Sequence, residues 1–390
     1  MRIVIAGLSV TSSWGNGHAT TFRGLMRGLS ERGHDVLFLE RDVPWYASNR
    51  DLRHPPYGRA ELYSNLEELK DRFAPEVRGA DVVMVGSYVP EGVAVGEWVV
   101  NTARGLTCFY DIDTPITVAK LEAGDDEYIS RALAARYHLY LSFTGGPMLE
   151  RIRAQFGALD AQPLYCSVDS SIYFPEWRRL QWDLGYLGTY SADRQPVLKR
   201  LLLHPARQWK QGRFVVAGPL YPEHIAWPQN VDRIEHLAPA DHRAFYNAQR
   251  FSLNVTRREM ARAGYSPSVR LFEAAACGCA IVSDSWAGLE TFFEIGREIL
   301  IAATARESLR YVQKIPEEQR ITLGHRARAR VLAQHTSAHR AAELEKYLRA
   351  GLDRLRRSRT QIYDQVFVSA PWDDGPDRPD GLGMDSGSTP

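Results

Sequence analysis

Short apolar runs alternate with helical-period segments from the first residues onward, and few folds accommodate that alternation. Ile3–Ala6 reads as a buried strand, His18–Arg32 carries Phe22, Leu25, Met26 and Leu29 at helical spacing and stops at Gly33, and Asp35–Glu40 reads as the next strand. Strand, helix and strand in this order form the βαβ unit of a parallel sheet, with a right-handed crossover. The pattern continues through Asp81–Gly86, a helix near Val93–Thr102, strands at Leu106–Tyr110 and Leu139–Phe143, and a helix over Pro147–Phe156. Between them Asn49–Asn65, rich in Arg, Pro, Tyr and Gly and without a period, is expected as a long loop over the carboxyl edge of the sheet.

A polar stretch with Pro175 interrupts the pattern at Cys166–Glu176, and a second series then begins at Asp183–Gly188. It runs through a helix at Pro196–Leu203, strands at Phe214–Ala217 and Val231–Glu235, a helix near Asp241–Ala248, and strands at Phe251–Val255, Ala280–Ser283 and Glu298–Ile301. A chain of 390 residues exceeds what one core serves, and 44% hydrophobic residues can fill two. The expected fold class is therefore α/β, with two doubly wound, Rossmann-like domains facing each other across a cleft. The boundaries read as 1–170 for the first domain, 171–182 for the linker, 183–360 for the second domain with its closing helices, and 361–390 for a tail. Pro316–Leu355 is expected to be helical, with Leu344, Tyr347, Leu348 and Leu352 on one side; Arg354, Arg356, Arg357 and Arg359 suit a solvated face that complements the helix dipole. From Asp373 onward Asp, Gly, Pro and Ser dominate, as in disordered tails.

Charge and cysteine usage narrow the partners. Lys and Arg number 48 against 47 Asp and Glu, a net charge of +1 that supplies no field for nucleic acid or an anionic membrane. Met1–Ala6 is too short for a signal-peptide core and no window resembles a membrane span, so a soluble, cytoplasmic protein is expected, with only peripheral membrane contact left open. Cys108, Cys166, Cys277 and Cys279 are too few and too irregular for a disulfide framework. Cys277-Gly-Cys279 has one intervening residue at a helix-to-strand junction, a poor zinc or redox site, and both read as core residues; no metal or cofactor is expected.

Four stretches could hold a ligand. In Ser266–Asp284, Ser266 suits the N-cap of a helix, Pro267 its first position and Gly278 its left-handed stop, with Val269, Phe272 and Ala276 toward a core and Arg270 and Glu273 on another face. Free amides, two serine hydroxyls (Ser266, Ser268) and an arginine make an anion seat; the same features also suit a well-capped core helix. Gly188–Arg194 follows a strand and brings Gly188, Thr189, Ser191 and Arg194 to the carboxyl edge, and Asn254–Arg258 adds Arg257 and Arg258 at a third strand end. Ser, Thr and Arg at three strand ends favour a convergent anion site.

The fourth stretch, Ser12–Thr20, brings Gly15, Asn16, Gly17 and His18 close to a helix start, where a neutral His18 could accept a proton or serve as a cap. A dinucleotide site is the alternative there, with Glu40 as ribose ligand, but Gly7, Ser9 and Ser12 stand where its three glycines belong. Asp111-Ile-Asp113 has the look of a metal pair, although alternation separates the two faces and Asp113 reads better as a cap or turn residue. Trp14, Trp45, Tyr46 and Tyr57 suit either a wall on which a ligand stacks or ordinary packing.

With these residues in view, the chain resembles GT-B glycosyltransferases of the spore-maturation-protein type, related to retaining family 4. The resemblance rests on Glu259–Glu290 and Gly296–Ile301, supported by Gly188–Ser191 with Asp193 and Arg194, by Ser167–Pro175 and by Ser142–Pro147. It implies that the second domain binds a nucleotide sugar, with Glu273 on the donor ribose, Ser268, Arg270, Ser191 and Arg194 about the diphosphate, and the glycine loop with His18 between donor and acceptor. No metal is implied, because helix amino ends and arginines can stabilise a departing diphosphate. The chain departs from the family where a second glutamate, eight residues before Glu273, is replaced by Tyr265. An epimerase or phosphorylase on the same fold, and a nucleotide-sugar-binding protein without turnover, fit the same residues; a Rossmann oxidoreductase would require nicotinamide or flavin binding.

Overall fold

The computed structural model describes residues 1–14 and 17–367, except for the side chains of residues 359 and 361–367. Two parallel sheets organise the chain. The first contains β1 (Arg2–Gly7), β2 (Asp35–Arg41), β3 (Arg59–Tyr63), β4 (Val82–Gly86), β5 (Leu106–Asp111), β6 (Leu139–Ser142) and β7 (Ala161–Pro163), in the order β3-β2-β1-β4-β5-β6-β7. The second contains β8 (Trp182–Leu187), β9 (Phe214–Ala217), β10 (Val231–Ile234), β11 (Gln249–Asn254), β12 (Ala280–Ser283) and β13 (Leu300–Ile301), in the order β10-β9-β8-β11-β12-β13. All pairings are parallel, so both faces of each sheet need apolar cover. In β1, Ile3 and Ile5 enter one core cluster while Val4 and Ala6 enter the opposite one.

In each sheet the strand order reverses direction once, between β1 and β4 and between β8 and β11. Beyond the carboxyl ends of those strands no crossover covers the edge, and a crevice opens. The loops after β1 and β8 both sit there.

One apolar cluster runs through both domains, taking in Ile5 and Phe22, then Leu164, Cys166 and Val168 of the connection, then Phe272 and Ala275. The chain crosses between domains twice, and the crossings touch: Val168 N–H donates to His335 O at 3.1 Å and Ser337 N–H donates to Val168 O at 2.9 Å. After the second crossing the helix Ser337–Phe367 lies along the helix Gly17–Glu31, with Ser337 and Ala341 against Gly24 and Gly28, and with Leu344 and Leu348 buried. Arg354 pairs with Asp160 of the first domain. The last helix therefore packs on the first domain and continues past residue 360 to Phe367, while residues 368–390 of the expected tail, and the Arg359 side chain, lie outside the described residues.

Three local readings change. Arg59–Tyr63 is an edge strand paired with β2 rather than loop, and Asn65 starts an unanticipated helix, Leu66–Gly79, by accepting from Glu68 N–H at 3.0 Å. The Gln195–Gln208 helical segment contains a π turn at Lys199–Leu203. Pro316–Leu355 divides at the second crossing into the helices Glu317–Gln334 and Ser337–Phe367.

All four thiols are buried and free, and burial pushes those of Cys166 and Cys279 up to about 12. Among the described residues no cluster of three or more His, Cys, Asp or Glu is placed to hold a metal, and no helix is long and apolar enough to cross a membrane.

Candidate functional site

The helix Val269–Ala276 aims its amino end at the crevice of the second sheet. Its N-cap is Ser268, whose hydroxyl accepts from Arg270 N–H at 3.4 Å, and Gly278 ends the turn beyond it at φ 71°. Arg270 turns back over the sheet edge. Its guanidinium donates to Leu187 O at the end of β8 and to Asn254 Oδ1 at the end of β11 (3.2 Å), and lies 5.0 Å over the Tyr186 ring. Gly188 leaves room for this: a Cβ there would stand 2.9 Å from Arg270 Nη2.

Arg194 comes from the loop after β8 and is anchored by a bond from Nη2 to Thr189 O at 2.7 Å, while its buried Nε has no partner among the described residues. Neither Arg194 nor Arg270 has an ion-pair partner among the described residues. Burial, together with the nearby charges of Arg270 and Arg257, lowers the pKa of Arg194. Both arginines are half-buried, and cations partly withdrawn from water without a counter-charge favour an anion that completes the site.

These groups line a cavity of about 280 Å³ that also takes in Thr189, Gly218, Leu237 and Glu273. Glu273, only 5% exposed, accepts from Tyr246 Oη at 2.9 Å. The cavity joins a second compartment of about 220 Å³ through the shared walls Gly17, Arg194, Ser268 and Val269. His18 and Asp113 of the first domain face Arg257 and Thr256 of the second across it. Burial lowers the His18 imidazole to about 4, which keeps it neutral. The same lowering expected from a helix start thus comes from desolvation.

A third space, about 450 Å³, opens beyond Thr189 and Gly218 between Trp14, Trp45 and Tyr221. Trp14 lies 4.6 Å from Trp45 and 5.7 Å from His236 of the other domain. Tyr57 is instead buried beneath Arg27, 4.9 Å from its ring.

Several candidate residues sit elsewhere than their sequence suggested. Ser266 is not the N-cap; its hydroxyl accepts from Thr144 Oγ1 at 2.9 Å in the contact between domains. The Ser191 hydroxyl is turned onto Asp193, whose other oxygen accepts from Arg258 N–H at 2.8 Å, and Ser191 does not line the cavity. Glu40 cannot serve a ribose: its carboxylate accepts from Ser9 Oγ, Val10 N–H, Thr11 N–H and Thr11 Oγ1 at 2.6–3.0 Å, which fills its lone pairs. Asp113 does occupy the N-cap position of the helix Thr114–Ala123, as its sequence suggested, but its side chain makes no cap bond; it reaches Arg257 and the cleft, a role invisible without knowing which domain faces it. Gly15 and Asn16 lie outside the described residues, while Gly17 lines both compartments.

Residues 194–346 match a family model described as "Glycosyl transferase-like". No curated protein matches the chain at the level of sequence. Among solved structures, sucrose-phosphate synthase from Thermosynechococcus elongatus is 14% identical over 95% of this chain and 100% of its own, with a TM-score of 0.64. Anabaena HepE in complex with UDP and glucose is 14% identical over 90% of this chain and 100% of its own, at 0.67. An alpha-glucosyltransferase in complex with UDP-glucose and DNA containing an abasic site is 11% identical over 89% and 99%, also at 0.67. At these identities the likeness shows the fold, which is GT-B.

Proposed function

With a glycosyl transferase-like region closing one side of a GT-B cleft as premise, we propose that the chain transfers a sugar from a nucleoside diphosphate to an acceptor. The observation that carries this reading is the seat formed by Arg194, Arg270 and the Ser268-capped helix start, cationic and half-buried, at the strand reversal of the second sheet. A diphosphate supplies the missing anion, and charge that grows on it as the glycosidic bond breaks meets donors already in place. Glu273 takes the ribose hydroxyls, and Gly188 and Thr189 let the backbone approach the phosphates.

The sugar then extends past Arg194 and Ser268 into the smaller compartment, beside His18. Transfer breaks the bond between the anomeric carbon and the diphosphate oxygen and forms one to the acceptor oxygen, whose proton passes to the departing diphosphate. We assign retention at that carbon and metal-independent turnover on the sequence resemblance and on the arginines, and the spore-maturation-protein kinship on sequence alone. The solved complexes with UDP and UDP-glucose make a uridine diphosphate hexose the first donor to try.

The test is calorimetry and thermal shift with nucleoside diphosphates and their sugars, followed by acceptor screening with product anomers read by NMR and turnover measured with and without a chelator. A nucleoside diphosphate that stabilises the chain supports the seat. Stabilisation by dinucleotides alone would sink it.

A further inference from the structure

The family's first glutamate is missing at Tyr265, and the structure shows that nothing takes its place from that position. Tyr265 adopts φ 46°, and its ring packs on Gly146 and Gly288 and lines a separate cavity with Tyr165 and Phe292. The cleft nonetheless contains a second carboxylate, contributed from the opposite domain. Asp113 follows β5, and its Oδ2 accepts from Tyr88 Oη and from Arg257 Nη1, both at 3.0 Å. No described residue donates to its Oδ1. The carboxylate lines the smaller compartment, next to the walls shared with the diphosphate seat.

Resting on the transferase reading above, we propose that Asp113 is the carboxylate that receives the transferred sugar, with Oδ1 accepting from one of its ring hydroxyls. Two donors fix one oxygen and leave the other aimed at a ligand, so the acceptor is oriented before the sugar arrives. Because Arg257 belongs to the second domain, the carboxylate is held this way only when the two domains are together. Sugar capture and cleft closure are thereby tied to one ion pair. A hydroxyl that meets a fixed carboxylate is strongly discriminated from a hydrogen at the same ring position, since the deoxy analogue covers that oxygen without pairing it.

The experiment compares wild type, Asp113→Asn and Asp113→Ala as full chains, with UDP, UDP-glucose and the set of UDP-deoxyglucoses as probes. UDP affinity is expected to change less than about threefold in both variants, while kcat/KM for UDP-glucose hydrolysis or transfer falls about 100-fold in Asp113→Ala and about 10-fold in the isosteric Asp113→Asn. One deoxy donor should lose in wild type what the variant has already lost, and lose nothing further in Asp113→Ala. A structural role would lower UDP binding in parallel and couple to no single hydroxyl, and either result overturns the assignment. So does turnover within threefold of wild type. If wild type binds no nucleoside diphosphate at all, the transferase reading fails and this one with it; if UDP binds normally and Asp113 is silent, only this one fails.

Discussion

The loops that leave β1 and β8 stand at equivalent strand reversals, and each presents polar backbone to a crevice. After β1 the chain supplies its own anion. Glu40, at the carboxyl end of β2, accepts from Val10 and Thr11 N–H, and Asp51 accepts from Ser13 N–H at 2.9 Å while pairing with Arg23. After β8 the one carboxylate of the loop, Asp193, turns to Ser191 and Arg258 N–H and pairs with neither seat arginine: Arg194 donates to a backbone carbonyl, and Arg270 to a carbonyl, an amide oxygen and the Ser268 hydroxyl. The same architecture thus yields one closed loop and one open seat. Carboxylates that take up a loop's amides and arginine make it part of the scaffold, and arginines left without a carboxylate make the other loop part of a binding site.

Removing the cations from the open seat should break the contrast most visibly. Arg194→Ala and Arg270→Ala are each expected to weaken nucleoside diphosphate binding by about 10- to 150-fold, the range for charged hydrogen bonds. Arg194→Ala should leave the melting temperature of the ligand-free chain unchanged or raise it, because it relieves repulsion from Arg270 and Arg257. Calorimetry and ligand-free melts report the two effects separately. A fall in stability with intact affinity would make Arg194 a scaffold residue.

The converse change belongs to the closed loop. Glu40→Gln places an amide donor against hydroxyls or backbone N–H groups that now donate to a carboxylate. A loss of about 1–3 kcal/mol is expected, seen as a lower melting temperature. Affinity for the diphosphate should stay within about threefold, since the loss falls on scaffold rather than seat.

How much of this contrast was legible beforehand depends on which residues carry it. The strands of both sheets other than Arg59–Tyr63 and Ala161–Pro163, and the placement of Arg194, Ser268, Arg270 and Glu273 about one cavity, were readable, because apolar runs and strand-end loops are local patterns and the family resemblance covers them. Asp113 was not, since its meaning comes from Arg257, 144 positions away in sequence and on the other domain. Ser266 misled for the same reason: its chemistry suits a cap, yet Thr144 of the first domain claims its hydroxyl and Ser268 caps instead. Arg59–Tyr63 was hidden by composition, as an edge strand tolerates the Arg and Glu that a central one excludes.

The first-domain wall of the cleft should also reveal itself by pH. His18 holds a folded pKa of about 4 against 6.5 when unfolded, so protons bind the unfolded chain first as pH falls. Its contribution is complete above 6.5 and is lost on descent toward 4; His335, lowered to about 3, acts in the same direction. Asp111, raised to about 6 from 3.8, opposes them, gaining stability as pH falls through 6. His18→Gln should therefore flatten the acid side of the melting curve by about 1 kcal/mol near pH 5.5. An unchanged slope would place the imidazole in contact with solvent.

The smallest expected effect separates two serines that look alike in sequence. Ser191 and Ser268 both follow a strand or begin a helix beside an arginine, and both were natural diphosphate ligands. In the structure Ser191 spends its hydroxyl on Asp193, which also accepts from Arg258 N–H and so ties the loop after β8 to the start of the helix Arg258–Ala263. Ser268 keeps its hydroxyl at the wall shared by the two compartments, with Arg270 Nη1 at 3.3 Å. Ser268→Ala is then expected to cost about 1 kcal/mol in diphosphate affinity, through the lost cap and the lost contact. Ser191→Ala should change that affinity by less than about threefold, because the bond it removes lies within the loop. If Ser191→Ala proves the more damaging of the two, the loop must reorganise on binding and release Asp193, and the open seat would then be assembled by its ligand rather than waiting for it.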